Sequence, residues 1–349
     1  MAPNPKEPSD ALEETCMKSS EHLKEQNKAE SNEEWRGGYF VTKVRWDRAL
    51  FLIAFHAWSF YAALTLPYLG CKRTWLWSTF LLYASIFGVT GGVHRYWSHR
   101  SFKAKLPLRI ILLICYATAG HFRISHWVRL HRVHHKCSET DADPHNSKRG
   151  FFFSHVGWLV LERHPEVRRQ ERLIDMSDVF SDPVVRIADK HFEFVKILFA
   201  YIVPIIVPVY LWNETWYNAL SINAIRYVLC INMIGSINSA AHLWGYKPYD
   251  KSIAPAQNIF VAHFAMGEGW HNYHHVFPWD YKAAEFGNYS LNLTAGLIDM
   301  FAKIGWAYDL KQPSKDLIKK IALRRGDGSY KNVDEVPEPI SVEEMEKKN

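Results

Sequence analysis

Apolar and polar residues are strongly blocked along this chain. Residues 1–37 are rich in Glu, Lys, Ser and Asn with few aromatics, so they cannot bury enough apolar surface to offset their ordering entropy and are predicted to form a disordered tail. The first apolar run, Ala49 to Leu69, is uncharged, and so is the second, Trp75 to Val93. Each is near the ~20 residues a spanning helix needs. The short link from Gly70 to Thr74 leaves room only for a hairpin. Leu106 to Gly120 is apolar but shorter and carries Arg109, which suits a re-entrant or interfacial helix better than a span. Residues 197–212 and 216–237 form a second hairpin around Asn213, Glu214 and Thr215. Pro204 and Pro208 in the third span are tolerated more readily in membrane helices than in soluble ones. Arg226 lies deep in the fourth span, where pairing inside the bundle is expected rather than snorkelling to the interface.

The pattern predicts an all-α integral membrane protein with four transmembrane helices in two hairpins. Residues 38–330 read as one membrane domain and 331–349 as a second polar tail. The mean hydropathy of -0.21 looks soluble only because the polar ends dilute the apolar blocks.

Two hairpins put both termini and the segment 94–193 on one side. That segment holds seventeen Lys and Arg, against two in the first link and none in the second, so the positive-inside rule assigns it to the cytosol. Of the sequons, Asn213-Glu214-Thr215 alone would face the lumen, too close to the membrane to be used, whereas Asn288-Tyr289-Ser290 and Asn292-Leu293-Thr294 would be cytosolic. The first 18 residues hold no apolar core of a signal peptide, so insertion is expected to rely on the internal spans. The net charge of +6 and the absence of a nucleic-acid module argue against a nucleic-acid partner. A basic face beside a bilayer fits better. Five scattered Cys without CxxC pairing read as reduced and as unsuited to a thiolate metal site.

Eighteen His are many, and their spacing gives them meaning. Three clusters stand out: His94 with His99, then His131, His134 and His135, then His271, His274 and His275. On a helix, i, i+3 and i+4 fall within roughly 100° of one another, so each HxxHH is expected to point three imidazoles at one place. The i, i+5 spacing of the first cluster cannot share one face of a regular helix and is expected to straddle a helix end. All three clusters lie just outside predicted spans on the predicted cytosolic side. Imidazole suits Fe, Zn, Cu and Ni alike. Eight clustered ligands exceed the four that a structural zinc takes, which implies two ions in a cytosolic helical cap. Isolated His56, His155 and His191 read as packed or surface residues.

The motifs HRYWSHRSF, HRVHHKCSETDADPHN, RGFFFSHVGW, NSAAHLWG, APAQN and GEGWHNYHHVFPWDY resemble those of the stearoyl-CoA desaturase family, the membrane acyl-CoA Δ9 desaturases, most like its insect members, over about residues 40–330. The resemblance implies one iron held by His94, His99, His131, His135 and His274. It implies a second held by His134, His242, His271 and His275, with Asn238 reaching it through water. His242 is a ligand that spacing does not single out. The implied reaction is the O2-dependent insertion of a cis double bond, at Δ9, into a long-chain acyl-CoA at the endoplasmic reticulum membrane. Abstracting hydrogen from unactivated methylenes needs an oxidant that redox-silent zinc cannot supply. With no bridging carboxylate in the motifs, the pattern differs from Glu-rich soluble di-iron bundles. Glu139, Asp141, Asp143 and Glu268 are candidates to orient the rings. The chain has no GxGxxG element, flavin motif or heme-binding HPGG, so electrons are expected from a partner. The family implies cytochrome b5 with its NADH reductase, an acidic donor that a basic face could steer.

Around the acyl carrier the chain departs from the vertebrate pattern. Leu130 stands where an acid is expected, beside a retained Arg129, and Phe122 stands for an Asn. Gly235 stands for a Trp, Glu162-Arg163 for a basic pair and Arg48 for an Asn. On span two, Leu82 and Ile86 occupy the positions the family uses to close the tunnel around the acyl tail. A branched Ile86 is expected to shorten it and favour C14 to C16 over C18 chains. Rival readings are a hydroxylase or a desaturase with another acyl carrier or chain position, and a non-catalytic metal or lipid binder, which the complete ligand set opposes. A metal transporter would want ligands at mid-membrane.

Overall fold

The computed structural model describes residues 42–285 and 289–330, so the predicted tails lie outside the described residues. Among the described residues, four helices are long and apolar enough to cross a membrane: α1 (Trp46–Thr65), α2 (Lys72–Ser98), α7 (Phe192–Trp212) and α8 (Trp216–Leu243). They match the four predicted spans with shifted ends. Helix α1 starts and stops about one turn earlier than the apolar run, and α7 begins about one turn before its predicted start. Helices α2 and α8 run beyond their predicted ends, which carries both out of the apolar zone and into the cap. Apolar content ended the predicted spans too soon, because a helix that continues into protein needs no further hydrophobicity.

Between the hairpins, α3 (Leu106–Ala119) and α4 (Ile124–Cys137) meet at 83° across a short break. Helix α3 has too few residues to span alone, as its length predicted. It ends at Gly120, whose φ of +67° is the left-handed conformation that glycine adopts without penalty. Arg109 on α3 donates to Asp182 at 3.0 Å, and Trp97 at the end of α2 donates to the other oxygen of the same carboxylate at 3.1 Å. Gly88 lets α2 and α3 touch: a Cβ there would lie 2.1 Å from the Tyr116 nitrogen. The cap is completed by α5 (Pro165–Leu173), α6 (Pro183–Lys190), α9 (Ile259–Phe264), α10 (His271–Val276), α11 (Leu293–Lys303) and α12 (Lys315–Arg325). Strands β1 (Lys103–Ala104) and β2 (Ala307–Tyr308) pair antiparallel.

Arg226 is paired inside the bundle, as expected, but with neutral acceptors. Its guanidinium donates to Ser85 Oγ (3.0 Å), Asn223 Oδ1 (2.9 Å) and the carbonyls of Thr118 (2.8 Å) and Ala200 (3.0 Å). Two of these acceptors have a backbone cause. Pro204 has no N–H for the carbonyl four residues back, so Ala200 is left to accept from Arg226. Thr118 stands in the last turn of α3, where carbonyls lack partners and the helix dipole favours a cation. Pro208 frees the Pro204 carbonyl in the same way, and the Trp77 indole donates to it at 3.3 Å.

Candidate metal centre

The first cluster occupies the end of α2, where residues Gly88–Ser98 widen into a π-helix. An i→i+5 repeat is the one in which i and i+5 stack, and the His99 amide donates to the His94 carbonyl at 3.2 Å. The i, i+5 pair therefore converges, with His94 inside the helix and His99 capping it, which is the predicted straddling of a helix end. The ring centroids are 4.9 Å apart.

The two HxxHH clusters differ from the expectation of three rings at one place. Two sets form: His94, His99, His131, His135 and His274 in one, and His134, His242, His271 and His275 in the other, with potential ligand atoms within 4.8 Å of one another in each. On a helix i and i+4 lie about 40° apart, while i+3 falls on the opposite flank of i. Helix α4 thus gives its i, i+4 pair to the first set and His134 to the second. Helix α10 does the reverse, giving His271 and His275 to the second set and His274 to the first. Each helix ties both centres together. His242 completes the second set from the last turn of α8, past a break at Ser239.

The nitrogen spacings fit shared cations. In the first set the Nε2 atoms of His94 and His274 are 2.9 Å apart, those of His274 and His135 3.0 Å, and those of His99 and His131 2.7 Å. In the second, His242 and His271 are 2.9 Å apart and His275 and His271 3.2 Å. Two nitrogens bound at ~2.1 Å to one ion at right angles stand roughly 3 Å apart. The buried Nε2 of His134, aimed at the second set, has no hydrogen-bond partner. An orphaned acceptor in a dry site costs roughly 1–3 kcal/mol, so it calls for a ligand.

Three carboxylates set the tautomers. Glu268 stands 2.9 Å from His94 Nδ1, Asp143 2.8 Å from His134 Nδ1 and Glu139 2.7 Å from His242 Nδ1. Asp143 and Glu139 accept the Nδ1–H of their rings and Glu268 lies against that of His94, leaving Nε2 as the metal-facing lone pair. These are three of the four predicted orienting acids; Asp141 is exposed to solvent. The acids are themselves held. Arg95, 1% exposed, donates to Glu268 at 2.8 and 3.0 Å, Ser147 donates to Glu139 at 2.8 Å, and Asp143 accepts the Glu139 amide at 2.9 Å. Burial alone would raise both carboxyls, but the Arg95 guanidinium holds Glu268 at about 2, and the neighbouring His134 ring holds Asp143 at about 2. Burial and neighbouring imidazoles push His271, His274 and His275 well below the ordinary histidine range, so they are neutral donors at physiological pH. Arg95 is the site residue that spacing did not find. Its signal was a charge between box histidines at the end of an apolar run.

A cavity of about 670 Å³ opens onto both sets, lined by His94, His131, His134, His271 and Glu268. Asn238 lines it as well, as do Phe122, Leu130 and Gly235, which replace polar or aromatic residues of the vertebrate pattern. Gly235 leaves no room for a side chain: a Cβ would lie 2.7 Å from the His155 carbonyl, and the His155 ring fills that wall. His155 accordingly is a packed residue, bonded to Ser239 at 2.8 Å and Asn232 at 3.1 Å, and Asn232 donates to His56 at 3.1 Å. Arg129 is half-buried on α4 and is not among the cavity-lining residues. Leu82 and Ile86 do not line the cavity either. It reaches Val89 and Thr90, one turn short of the fully buried Ile86.

Comparison with known proteins agrees with this geometry. The family described as "Fatty acid desaturase" matches residues 73–290. An acyl-CoA Delta-9 desaturase of Acheta domesticus is 50% identical over 82% of this chain and 80% of its own length. An acyl-CoA Delta(11) desaturase of Trichoplusia ni is 53% identical over 74% of each chain. An acyl-CoA Delta12-desaturase of Acheta domesticus is 46% identical over 82% of this chain and 81% of its own. With more than half its length matched, this chain belongs to the fatty acid desaturase family.

Proposed function

We propose that the protein is a di-iron, O2-dependent acyl-CoA desaturase that places a cis double bond, at Δ9, in a saturated long-chain acyl group. What carries the reading is the pair of histidine sets, of which His94 and His131 in one and His134 and His271 in the other line one apolar-walled cavity. His94, His99, His131, His135 and His274 would hold one iron and His134, His242, His271 and His275 the other, with Asn238 near the second through water. Iron supplies the O2-derived oxidising strength that unactivated C–H bonds require. The chain's own residues do the rest. Glu268, Asp143 and Glu139 hold the Nδ1 protons, Arg95 fixes Glu268, and Val89 with the apolar walls keeps the methylenes dry and close to the centre.

The substrate follows from the relatives' activities, and Δ9 from the cricket Δ9 enzyme and the family motifs; relatives with Δ11 and Δ12 activities make the position a matter for product analysis. Electrons would come from cytochrome b5 at the endoplasmic reticulum membrane, with both termini and the metal sites in the cytosol. The exposed Lys136, Arg168 and Arg169 at the adjoining ends of α4 and α5 would steer that acidic donor. If neutralising them leaves reduction by cytochrome b5 unchanged at low salt, this docking face is wrong.

The test of function is expression in a yeast that lacks its own Δ9 desaturase, with fatty-acid analysis and double-bond localisation. Growth rescue and a Δ9 monoene are expected. A product heavier by one oxygen would instead mark a hydroxylase, and no product from iron-loaded protein would overturn the reading.

A further inference from the structure

The lining of the cavity spans both the cap and the membrane helices. On one side its rim is His126, Arg123, Trp158 and Leu159, in the cap. On the other, its wall consists of Phe51 and Leu52 of α1, Phe192 of α7, and Tyr227 and Ile231 of α8. Helices α1 and α7 both pack on α8, and the cavity lining runs across the gap between their cytosolic starts. Phe51 is 42% exposed in that gap, one turn into α1. Above it stand Asp47 and Arg48, in the first turn of α1, and Glu193 and Lys196, within the first five residues of α7. Glu193 and Lys196 form an ion pair at 2.6 Å. Charged first turns mark the level at which two membrane helices leave the apolar phase, and the apolar wall lies directly below them.

We propose that this gap is a side portal, through which the chain of an acyl-CoA already partitioned into the cytosolic leaflet slides between α1 and α7 into the cavity. Energetics favour this route over threading from water. Each methylene withdrawn from an apolar phase costs about 0.8 kcal/mol, so passing a dozen through water costs on the order of 10 kcal/mol. A side portal keeps them in apolar surroundings throughout, while Arg48 at the head of α1 faces the anionic carrier at the interface. The inference rests on the cavity being the acyl site, and it is tested without turnover.

The measurement is stopped-flow uptake of the fluorescent parinaroyl-CoA by full-length, metal-loaded protein in lipid nanodiscs under anaerobic conditions. Leu52→Trp, or Phe192→Trp from the facing helix, is expected to slow association by about ten-fold, a barrier of ~1.4 kcal/mol. Ile53→Trp, one residue away and outside the cavity wall, is expected to leave it unchanged. Iron content and thermal unfolding verify that each variant is folded, and Leu52→Ala, which opens the gap, should take up the probe at least as fast as the parent. Uptake by both Trp variants at the parent rate would overturn the portal. A protein that takes up the probe through α1 and α7 yet makes no product would overturn the desaturase reading and leave the portal standing.

Discussion

The histidine end of the cavity and its mouth are held in different ways. At the histidine end, three acids bind Nδ1 atoms, and partners such as Arg95 and Ser147 bind two of those acids in turn, so ring orientation is over-determined. At the mouth, Phe122 and Trp158 meet by ring contact, with Phe122 5.3 Å from the His126 ring and 5.9 Å from the Trp158 ring. Hydrogen bonds between charged groups fix direction, whereas apolar contact fixes only volume. The chemistry should therefore fail sharply on single changes, and substrate choice should drift gradually.

The largest break in this contrast is expected from His134→Ala, which removes the orphaned Nε2 from the second set. Metal analysis should fall from about two irons per chain toward one, with product formation down by 10³-fold or more. Chelation of the intact protein should abolish product in the same assay and restore it on adding Fe²⁺. Next come Asp143→Asn and Glu268→Gln, which keep shape but lose the charge that fixes the tautomer; a 10–100-fold loss of iron affinity or activity is expected from the loss of such partners. If both variants bind iron as the parent does, the acids only pack.

Changes at the mouth should do less. Phe122→Asn with Leu130→Asp, restoring two polar positions of the vertebrate pattern, should change KM for acyl-CoA by up to about ten-fold, or 1.4 kcal/mol, with kcat little altered. An equal fall in kcat and kcat/KM would place those residues in the chemistry instead. The smallest effect is expected from Ile86→Ala, which opens space one turn below Val89 and Thr90. Product analysis should show a shift from C14–C16 toward C18 of a few-fold at constant total turnover. An unchanged distribution would mean that Val89, not Ile86, ends the cavity.

The four spans were legible because lipid demands long uncharged runs, and their true ends were not, because α2 and α8 exchange lipid for protein as they enter the cap. Arg226 could be seen to need partners, but those partners, the carbonyls of Ala200 and Thr118, come from a proline and a helix end on other helices.

The sequence by itself determined that this is a four-span membrane protein with three histidine boxes outside the spans, since both facts follow from local spacing. The family motifs implied which nine histidines matter. Only the tertiary structure decided how α4 and α10 each divide their boxes between two centres, and which acid faces which ring. It also decided that the cavity stops one turn above Ile86 and is lined by residues of both α1 and α7. Those features depend on the directions in which helices distant in sequence meet, and a helix's own periodicity fixes which residues share a face, not what that face will meet.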